Sequence, residues 1–197
     1  MPTHDVPHSG AAAQSLILVR HGATAPNLAG LRCGGDLDVP LTELGRQQAA
    51  SAALQLQQRD LPVGVIVASA LQRTRETAAI ISRLLGGVEV LIEPAFAERQ
   101  LGAWNLRCVA ETEEALVSGM TPPGGESSAE FIDRIAAATQ NLLPRLHQRP
   151  LLVGSKGVGR ALRELLGMPR ANGLANGELL LLNLATLTRR DMNNCHA

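Results

Sequence analysis

The stretch from Leu16 to Gly22 constrains this chain more than any other, because an apolar run there ends abruptly in charged and reactive residues. The uninterrupted apolar run Leu16 to Val19 is typical of a strand that is buried on both faces of a parallel sheet. Arg20, His21 and Gly22 follow it directly. Ligands of open α/β sheets bind beyond the carboxyl ends of the strands. The run therefore predicts a binding site at this strand end, although the tripeptide alone suits solvated residues equally well.

Two further apolar runs are also followed by polar and basic residues. Residues 63–68 lead into Ser69 and Arg73, and residues 151–154 lead into Ser155-Lys156-Gly157. Three runs thus bring cations to what would be one edge of one sheet. Because strands and helices alternate along the chain, we expect a three-layer α/β/α domain with a mostly parallel central sheet.

Local patterns predict where several helices begin and end. Thr42 can cap a helix that reaches about residue 60. Ser69 with Gln72, and Ser127 with Glu130, both match the capping-box pattern. The first of these boxes places Arg73 in the first helical turn, where free N–H groups and the helix dipole attract anions. The last apolar strand spans residues 177–184, and residues 185–189 are a candidate for its partner strand.

Composition narrows the class of function. The chain has 197 residues with 18 basic and 18 acidic side chains, one Trp, two Phe and no Tyr. No global charge favours nucleic acid or a membrane surface, and few aromatic rings are available for stacking on bases. The three cysteines are widely spaced and odd in number, so we expect free thiols in the cytoplasm.

The predicted domain organisation is simple. Residues 1–14 form a disordered lead-in without the apolar core of a signal peptide. Residues 15–190 form a single domain with a small lid insertion at about 94–125, and residues 191–197 form a tail. No stretch approaches the length of a membrane span. Oligomeric state is left open by these patterns.

Two loops carry further candidate residues. Residues 22–40 form a long connection rich in small residues, and such loops usually serve a function. Asn27 lies there, where its amide is placed to donate to an anion, although an ordinary turn residue is the simpler interpretation. Glu98 lies six residues before Trp104, the only Trp, which alone suits a surface carboxylate beside a packing ring.

These motifs together resemble the histidine phosphatase (phosphoglycerate mutase-like) superfamily, branch 1. The similarity extends over most of the chain, from about residue 16 to residue 169, and the size is nearest to the α-ribazole phosphatases and other small phosphatases of that family. The segments that carry it are Arg20-His21-Gly22-Ala23-Thr24 with Asn27, Pro40 to Gly45, Ser69 to Thr77, Glu98 with Leu101-Gly102 and Trp104, and Gly125-Glu126-Ser127.

The resemblance implies a phosphoglycerate mutase-like fold and a phosphoryl-transfer site. It implies that His21 accepts the phosphoryl group, that Arg20, Asn27 and Arg73 hold phosphate oxygens, and that Glu98 protonates the leaving alkoxide. These roles agree with the residue chemistry, because nearby cations favour the neutral imidazole that can attack phosphorus. The expected partner is a small phosphate ester, with no nucleic acid and no membrane. No cofactor and no metal are expected, since the sequence contains no clustered His, Cys and Asp ligands.

Lys156 departs from the family pattern, which has a second histidine at this position. Lysine binds phosphate as a point charge but lacks the tunable pKa of imidazole. His147 precedes the fourth strand and should lie at the opposite end of the sheet. His4, His8 and His196 lie near the chain ends. The candidate catalytic residues are His21, Glu98, Arg20, Arg73 and Lys156, and the candidate phosphate-binding residues are Arg20, Asn27, Arg73 and Lys156.

The leading hypothesis is a metal-independent phosphomonoester hydrolase that works through a phosphohistidine on His21, with reduced activity expected because of Lys156. A second hypothesis, which depends on Lys156, is a non-catalytic protein that binds a phosphorylated ligand. A third is a phosphoglycerate mutase, which the short segment 107–124 disfavours because mutases of this family carry more inserted chain. The identity of the phosphorylated ligand does not follow from the sequence.

Overall fold

The computed structural model describes residues 14–169 and 173–187. All but the last residue of the predicted 1–14 lead-in and the whole predicted 191–197 tail lie outside the described residues. His4, His8, Cys195 and His196 lie outside them as well.

Strands and helices alternate along the described chain as expected. The strands are β1 (Ser15–Arg20), β2 (Val65–Ala68), β3 (Val90–Ile92), β4 (Pro150–Gly154) and β5 (Leu179–Asn183). The helices are α1 (Ala25–Leu28), α2 (Glu43–Gln58), α3 (Gln72–Leu84), α4 (Val109–Val117), α5 (Ser128–Leu142) and α6 (Lys156–Leu165). Short 3₁₀ helices occupy Pro94–Phe96, Gly102–Trp104 and Leu143–Gln148.

The five strands form one sheet in the order β3-β2-β4-β1-β5. The pairs β1–β4, β4–β2 and β2–β3 are parallel, and only the edge pair β1–β5 is antiparallel. The predicted fold class, α/β with a mostly parallel central sheet between helical layers, is confirmed. Because β4 lies between β1 and β2, the three strands that end in cations are direct neighbours.

Alternation along the central strands divides the core into two apolar layers. Leu16 and Leu18 of β1 face one layer, with α5 and α6, whereas Ile17 and Val19 face the other, with α2 and α3. These strand residues are 0–6% exposed. The uninterrupted apolar run therefore covers both faces of a buried strand, as its composition predicts.

The predicted helix starts are correct in two cases out of three. The Thr42 hydroxyl accepts from Gly45 N at 3.1 Å and caps α2. The Ser127–Glu130 capping box is complete, with reciprocal bonds of 3.2 and 2.8 Å.

The predicted Ser69–Gln72 capping box is wrong. The cap residue of α3 is Leu71, which makes no side-chain cap bond. The Ser69 hydroxyl instead pairs with Thr74 Oγ1 at 2.8 Å, and Asp38 Oδ1 accepts from Gln72 N at 2.6 Å. A carboxylate from a distant loop thus takes the capping role, which the local pattern did not reveal. Arg73 still lies in the first turn of α3.

The predicted partner strand at residues 185–189 is also wrong. β5 pairs antiparallel with β1, from Ser15↔Asn183 to Val19↔Leu179. Residues 185–187 are helical, and residues 188–189 lie outside the described part. The edge of β1 offers a longer complementary apolar strand than the few residues that follow Leu184.

The segment predicted as a lid contains two 3₁₀ turns and the nine-residue helix α4. Its base is attached to the loop after β1, because Arg32 N donates to Arg107 O at 2.9 Å and Leu106 N donates to Arg32 O at 3.0 Å. Trp104 is 7% exposed and packs at this base. Among the described helices, none combines the length and the apolar character that crossing a bilayer requires.

Candidate active site

The candidate site is built at the carboxyl ends of β1, β2 and β4. Arg20 is the last residue of β1, and His21 follows it. Lys156 is the first residue of α6, two positions after β4 ends. Arg73 is the second residue of α3, which follows β2. The parallel register brings these ends to one edge of the sheet.

His21 is held in one orientation and one tautomer. Its ring is 4% exposed, and Nδ1 lies 2.8 Å from Gly22 O. A carbonyl oxygen can only accept, so Nδ1 carries the hydrogen in this pair. Nε2 then keeps its lone pair. The His21 backbone is bound on both sides, because its N donates to Gly154 O at 2.9 Å and its O accepts from Asn176 Nδ2 at 2.8 Å.

The surroundings keep the His21 imidazole neutral. Burial, followed by the nearby Arg73 and Arg20 guanidinium groups, lowers the pKa of His21 from 6.5 to about 3, against a smaller opposing effect of the Gly22 carbonyl. Both causes penalise the imidazolium form. At neutral pH the ring is therefore an uncharged base with a free nitrogen among fixed cations.

Two glycines allow the strand end to approach α2 closely. A Cβ on Gly22 would collide with the backbone carbonyl of Gly45, and a Cβ on Gly45 would collide with Ala23 O. Gly22 N also donates to Thr77 Oγ1 at 3.2 Å. The glycine after His21 and the glycine of the Thr42-Glu43-Leu44-Gly45 segment thus serve the same contact, which fixes where the loop leaves β1.

Arg73 is fully buried and anchored by the loop after β1. Its side chain is 0% exposed. Nη1 donates to Leu37 O at 2.8 Å and Nη2 donates to Gly34 O at 3.0 Å. Its Nε has no partner among the described residues. A buried guanidinium with an unused N–H is costly unless a ligand completes it.

Arg20 shows the same feature. Its Nη1 donates to Leu174 O at 2.7 Å, whereas its Nε is buried without a partner in the described part of the chain. Burial lowers the pKa of Arg20; Glu98 opposes this shift, and Arg160 and Arg73 add to it. The buried Arg73 and the partly buried Arg20 thus each keep a buried Nε–H that no described residue accepts, and together they form an incomplete anion site.

Glu98 lies at the start of α6, beside Lys156. Its Oε2 accepts from Gly157 N at 2.9 Å, and its Oε1 accepts from Arg99 N at 2.8 Å. A Cβ on Gly157 would collide with this carboxylate. The glycine after Lys156 is therefore required for Glu98 to reach the pocket, which links two motifs that are 59 residues apart.

Lys156 directly precedes Gly157, whose N–H binds Glu98. Partial burial, followed by the neighbouring cation Arg160, lowers the pKa of Lys156, and Glu113 opposes the shift. Its stem passes over Gly173, where a Cβ would collide with Lys156 Cε. Within the described residues, Nζ makes no hydrogen bond and no ion pair.

Asn27 borders the same site, at the third position of α1. Its Oδ1 accepts from Thr24 N and from Asn176 Nδ2, both at 3.3 Å. Because the oxygen is used in this way, the amide nitrogen is the end of the side chain that stays available as a donor. All five residues predicted from sequence as catalytic, and Asn27, thus belong to elements that meet at one edge of the sheet.

Comparison with known proteins shows the family of this chain. The family model of the histidine phosphatase superfamily (branch 1) matches residues 16–191. The chain belongs to the histidine phosphatase superfamily. It is 37% identical over 166 residues to the probable phosphoglycerate mutase GpmB of Escherichia coli O1:K1 / APEC, an alignment that covers 77% of this chain and 74% of the relative. The GpmB protein of Escherichia fergusonii is 38% identical over the same length.

Solved structures of other proteins share the fold. A mycobacterial glucosyl-3-phosphoglycerate phosphatase, determined in complex with VO3, superposes with a TM-score of 0.73 at 30% identity, covering 86% of this chain and 90% of that one. The protein TTHB049 from Thermus thermophilus superposes with a TM-score of 0.71 at 29% identity, covering 87% and 94%. The names of the relatives are those of mutases and phosphatases, so phosphoryl transfer is the general chemistry of this histidine phosphatase chain.

Several positioning residues of this family member were not found from the sequence. Asn176 joins His21 O to Asn27 Oδ1, but in the sequence it resembles an ordinary turn residue before Gly177. Arg134 of α5 binds the carbonyls of Ala95, Ala97 and Glu98 at 2.7, 3.0 and 3.4 Å. A charge on an amphipathic helix usually indicates a solvated face, so no sequence signal separated Arg134 from one.

The remaining ligand-type residues do not add to the site. His147 is exposed, and its Nδ1 contacts Pro144 O at 2.8 Å, before β4 begins. It therefore lies at the amino end of β4, as predicted, away from His21. Among residues 14–169 and 173–187, no group of three or more His, Cys, Asp or Glu side chains is placed to hold a metal ion. Cys33 and Cys108 are free thiols.

Proposed function

We propose that this protein is a phosphomonoester hydrolase that works through a phosphohistidine on His21. The observation that carries the proposal is the state of the imidazole. Nδ1 is committed to Gly22 O, and the pKa of His21 is lowered to about 3 by burial, Arg73 and Arg20. A neutral, immobilised nitrogen surrounded by fixed cations suits attack on a dianionic phosphoryl group.

The unused donors support the same function. Arg20 and Arg73 each keep a buried Nε–H without a partner in the described chain. A phosphoryl group offers several acceptor oxygens, and charge-assisted bonds to it would satisfy both donors. Asn27 and Lys156 add an amide and an ammonium. The VO3 complex of the mycobacterial neighbour concerns an oxyanion as well.

The reaction balances with these groups. His21 Nε2 attacks phosphorus as the ester P–O bond breaks, and protonated Glu98 gives its proton to the departing alkoxide. Water then attacks phosphorus, the P–N bond breaks, and Glu98 takes a proton from the water. Inorganic phosphate and neutral His21 remain. The sequence of steps uses no metal ion.

Lys156 favours one alternative. In place of the histidine of the family pattern, an ammonium retains affinity for the phosphoryl group but does not reproduce imidazole chemistry. A non-catalytic phospho-ligand binder would keep binding without turnover. The relatives named as probable phosphoglycerate mutases favour a third function, transfer between two positions of phosphoglycerate.

One experiment separates these functions. The purified protein is incubated with a panel of phosphate esters, and released phosphate is measured together with 3- to 2-phosphoglycerate conversion primed by the bisphosphate. Phosphate release that is lost in His21→Gln supports the hydrolase. Isomer conversion without net release would establish the mutase. Ester binding by calorimetry with neither product would establish the binder.

A further inference from the structure

Arg160 lies next to the candidate phosphoryl site, and the proposed function gives it no role. It follows Lys156 by four residues on α6, so the two side chains lie on one face of the helix, one turn apart. Its guanidinium contacts Glu113 Oε1 of α4 at 3.5 Å, and its side chain is 41% exposed. No described residue accepts a hydrogen bond from it.

Arg160 also lies close to residues of the candidate site. Its charge lowers the pKa of Lys156, one helical turn away, and that of the partly buried Arg20. Groups that interact in this way lie close together. The 3.5 Å contact between Arg160 and Glu113 places α6 beside α4 at this point.

Glu113, the acid that contacts Arg160, also pairs with Arg32. Arg32 Nη2 donates to Glu113 Oε2 at 2.7 Å, and Arg32 Nε donates to Thr112 Oγ1 at 2.8 Å. The Arg32 side chain is 11% exposed. Arg32 and Glu113 thus form a close, directional pair that attaches α4 to the loop after β1. Arg160 makes only the longer contact with the other carboxylate oxygen.

A charge surplus results. The charged groups that act on Lys156 are three arginines, Arg160, Arg20 and Arg32, and one carboxylate, Glu113. Glu113 carries one negative charge but contacts both Arg32, at 2.7 Å, and Arg160, at 3.5 Å, so it cannot neutralise both. One positive charge of this group is left over, and Arg160 makes the longer and more exposed of the two contacts. A planar guanidinium with unused donors matches a carboxylate or a phosphate.

We propose that Arg160 binds a second anionic group of the substrate, a carboxylate or a second phosphate, and thereby determines specificity for doubly anionic esters. The inference rests on the proposed function, because the phosphoryl group of the substrate must lie at His21 for Arg160 to contact the second anionic group. The four residues from Lys156 to Arg160 correspond to a rise of about 6 Å along the helix. The second anion should therefore be separated from the phosphoryl group by a short spacer of about two to four atoms.

The test uses two pairs of esters that differ by one anionic group. 3-Phosphoglycerate is compared with glycerol 3-phosphate, and 1,2-ethanediol bisphosphate is compared with 1,2-ethanediol monophosphate. In Arg160→Gln we expect kcat/KM for at least one doubly anionic ester to fall about tenfold, through KM, with less than a twofold change for its partner. Loss confined to the first pair identifies a carboxylate, and loss confined to the second identifies a phosphate.

Two control variants test whether the effect is specific to the position and charge of Arg160. Arg163→Gln removes the same charge from α6 at a position about 10 Å along the helix axis from Lys156 and should leave both ratios unchanged. Arg160→Lys keeps the charge and should restore part of the selectivity. Equal losses on both members of each pair, or no loss on any, would overturn the proposal.

The failure of the proposed function is recognised separately. If the wild-type protein releases no phosphate from any ester, the hydrolase assignment fails, and dissociation constants for the same four esters are measured by calorimetry. Arg160→Gln must then weaken a doubly anionic ester selectively. Unchanged ratios of dissociation constants would refute the role of Arg160 independently of catalysis.

Discussion

The two halves of the pocket are held by different forces. The inner half is formed by His21 and Arg73, which are buried and bonded to backbone carbonyls of the neighbouring loop. The outer half is formed by Lys156 and by the ion-paired group Arg32, Glu113 and Arg160, all of which remain partly exposed. Backbone partners at the end of a sheet hardly move, whereas side-chain ion pairs near solvent are weak and adjustable. We therefore expect chemistry to depend on the inner half and substrate choice on the outer half.

The largest effect should come from His21. Replacing it with Gln removes the attacking nitrogen, so phosphate release should fall at least about a thousandfold. Binding of inorganic phosphate, measured by calorimetry, should persist because Arg20 and Arg73 are intact. If His21→Gln still releases phosphate at more than about one thousandth of the wild-type rate, the nucleophile lies elsewhere.

Arg73→Lys should have the next largest effect. A single ammonium nitrogen cannot occupy the three positions of the guanidinium nitrogens, so it cannot keep the bonds to Leu37 O and Gly34 O and also place an N–H where Nε lies. We therefore expect roughly a hundredfold loss of kcat/KM. Unfolding free energy should fall by about 2 kcal/mol, because buried carbonyls lose their donors. Arg75→Lys, an exposed change on the same helix, is the matched control. Equal effects of the two variants would contradict a special role for the buried guanidinium.

The buried imidazole predicts a pH-dependent stability. The folded pKa of His21, about 3, lies below its ordinary value of 6.5, so between these values the unfolded chain binds more protons. Stability is unaffected by this group above about pH 7 and falls as the pH drops below about 6.5. From about pH 7 to about pH 5 the wild type should lose about 2 kcal/mol relative to His21→Gln. Urea titrations of both proteins at the two pH values measure this difference, and parallel losses would refute it.

Lys156→His tests the boundary between the halves. An imidazole there restores the family pattern, and we expect kcat to rise about tenfold when the rest of the pocket is competent. Lys156→Gln removes the charge without adding a titratable ring, so its kcat should not exceed that of the wild type. A His variant no faster than the wild type would show that Lys156 does not limit turnover.

The smallest effect should come from Glu113→Gln. Its ion pair with Arg32 is partly exposed, so unfolding free energy should fall by only about 0.5–1 kcal/mol. Glu114 is an exposed neighbour on α4, and Glu114→Gln should change the free energy of unfolding less. A loss as large as that of Arg73→Lys would show that both halves are held equally tightly, and the comparison would fail.

Local patterns predicted the elements better than their partners. The apolar run of β1, the caps Thr42 and Ser127 and the first-turn position of Arg73 follow from neighbouring residues, and all are confirmed. The capping of α3 by Asp38 and the pairing of β5 with β1 join residues far apart in the chain. Such contacts depend on how the elements pack, and no local spacing encodes them.

The residues of the candidate site also divide into those that the sequence predicted and those that it did not. Motif resemblance identified as a group the residues whose elements meet at this edge of the sheet, namely His21, Arg20, Arg73, Glu98, Asn27 and Lys156. Arg134 and Asn176 were missed, because an arginine in an amphipathic helix and an asparagine before a glycine each have commoner structural uses. Their roles depend on which carbonyls happen to lie within reach.

By itself, the sequence determined the three-layer fold and the edge of the sheet where cations gather, because apolar runs and strand-end residues act through short-range periodicity. Its motifs also resembled the family that the comparison then showed. Only the tertiary structure decided the tautomer of His21, the Nε–H groups of Arg20 and Arg73 that no described residue accepts, and the sharing of Glu113 by Arg32 and Arg160. These properties arise from burial and from distances between segments that are remote in sequence. Hydrogen bonding and electrostatics depend on those distances, so they are defined only once the layers have packed.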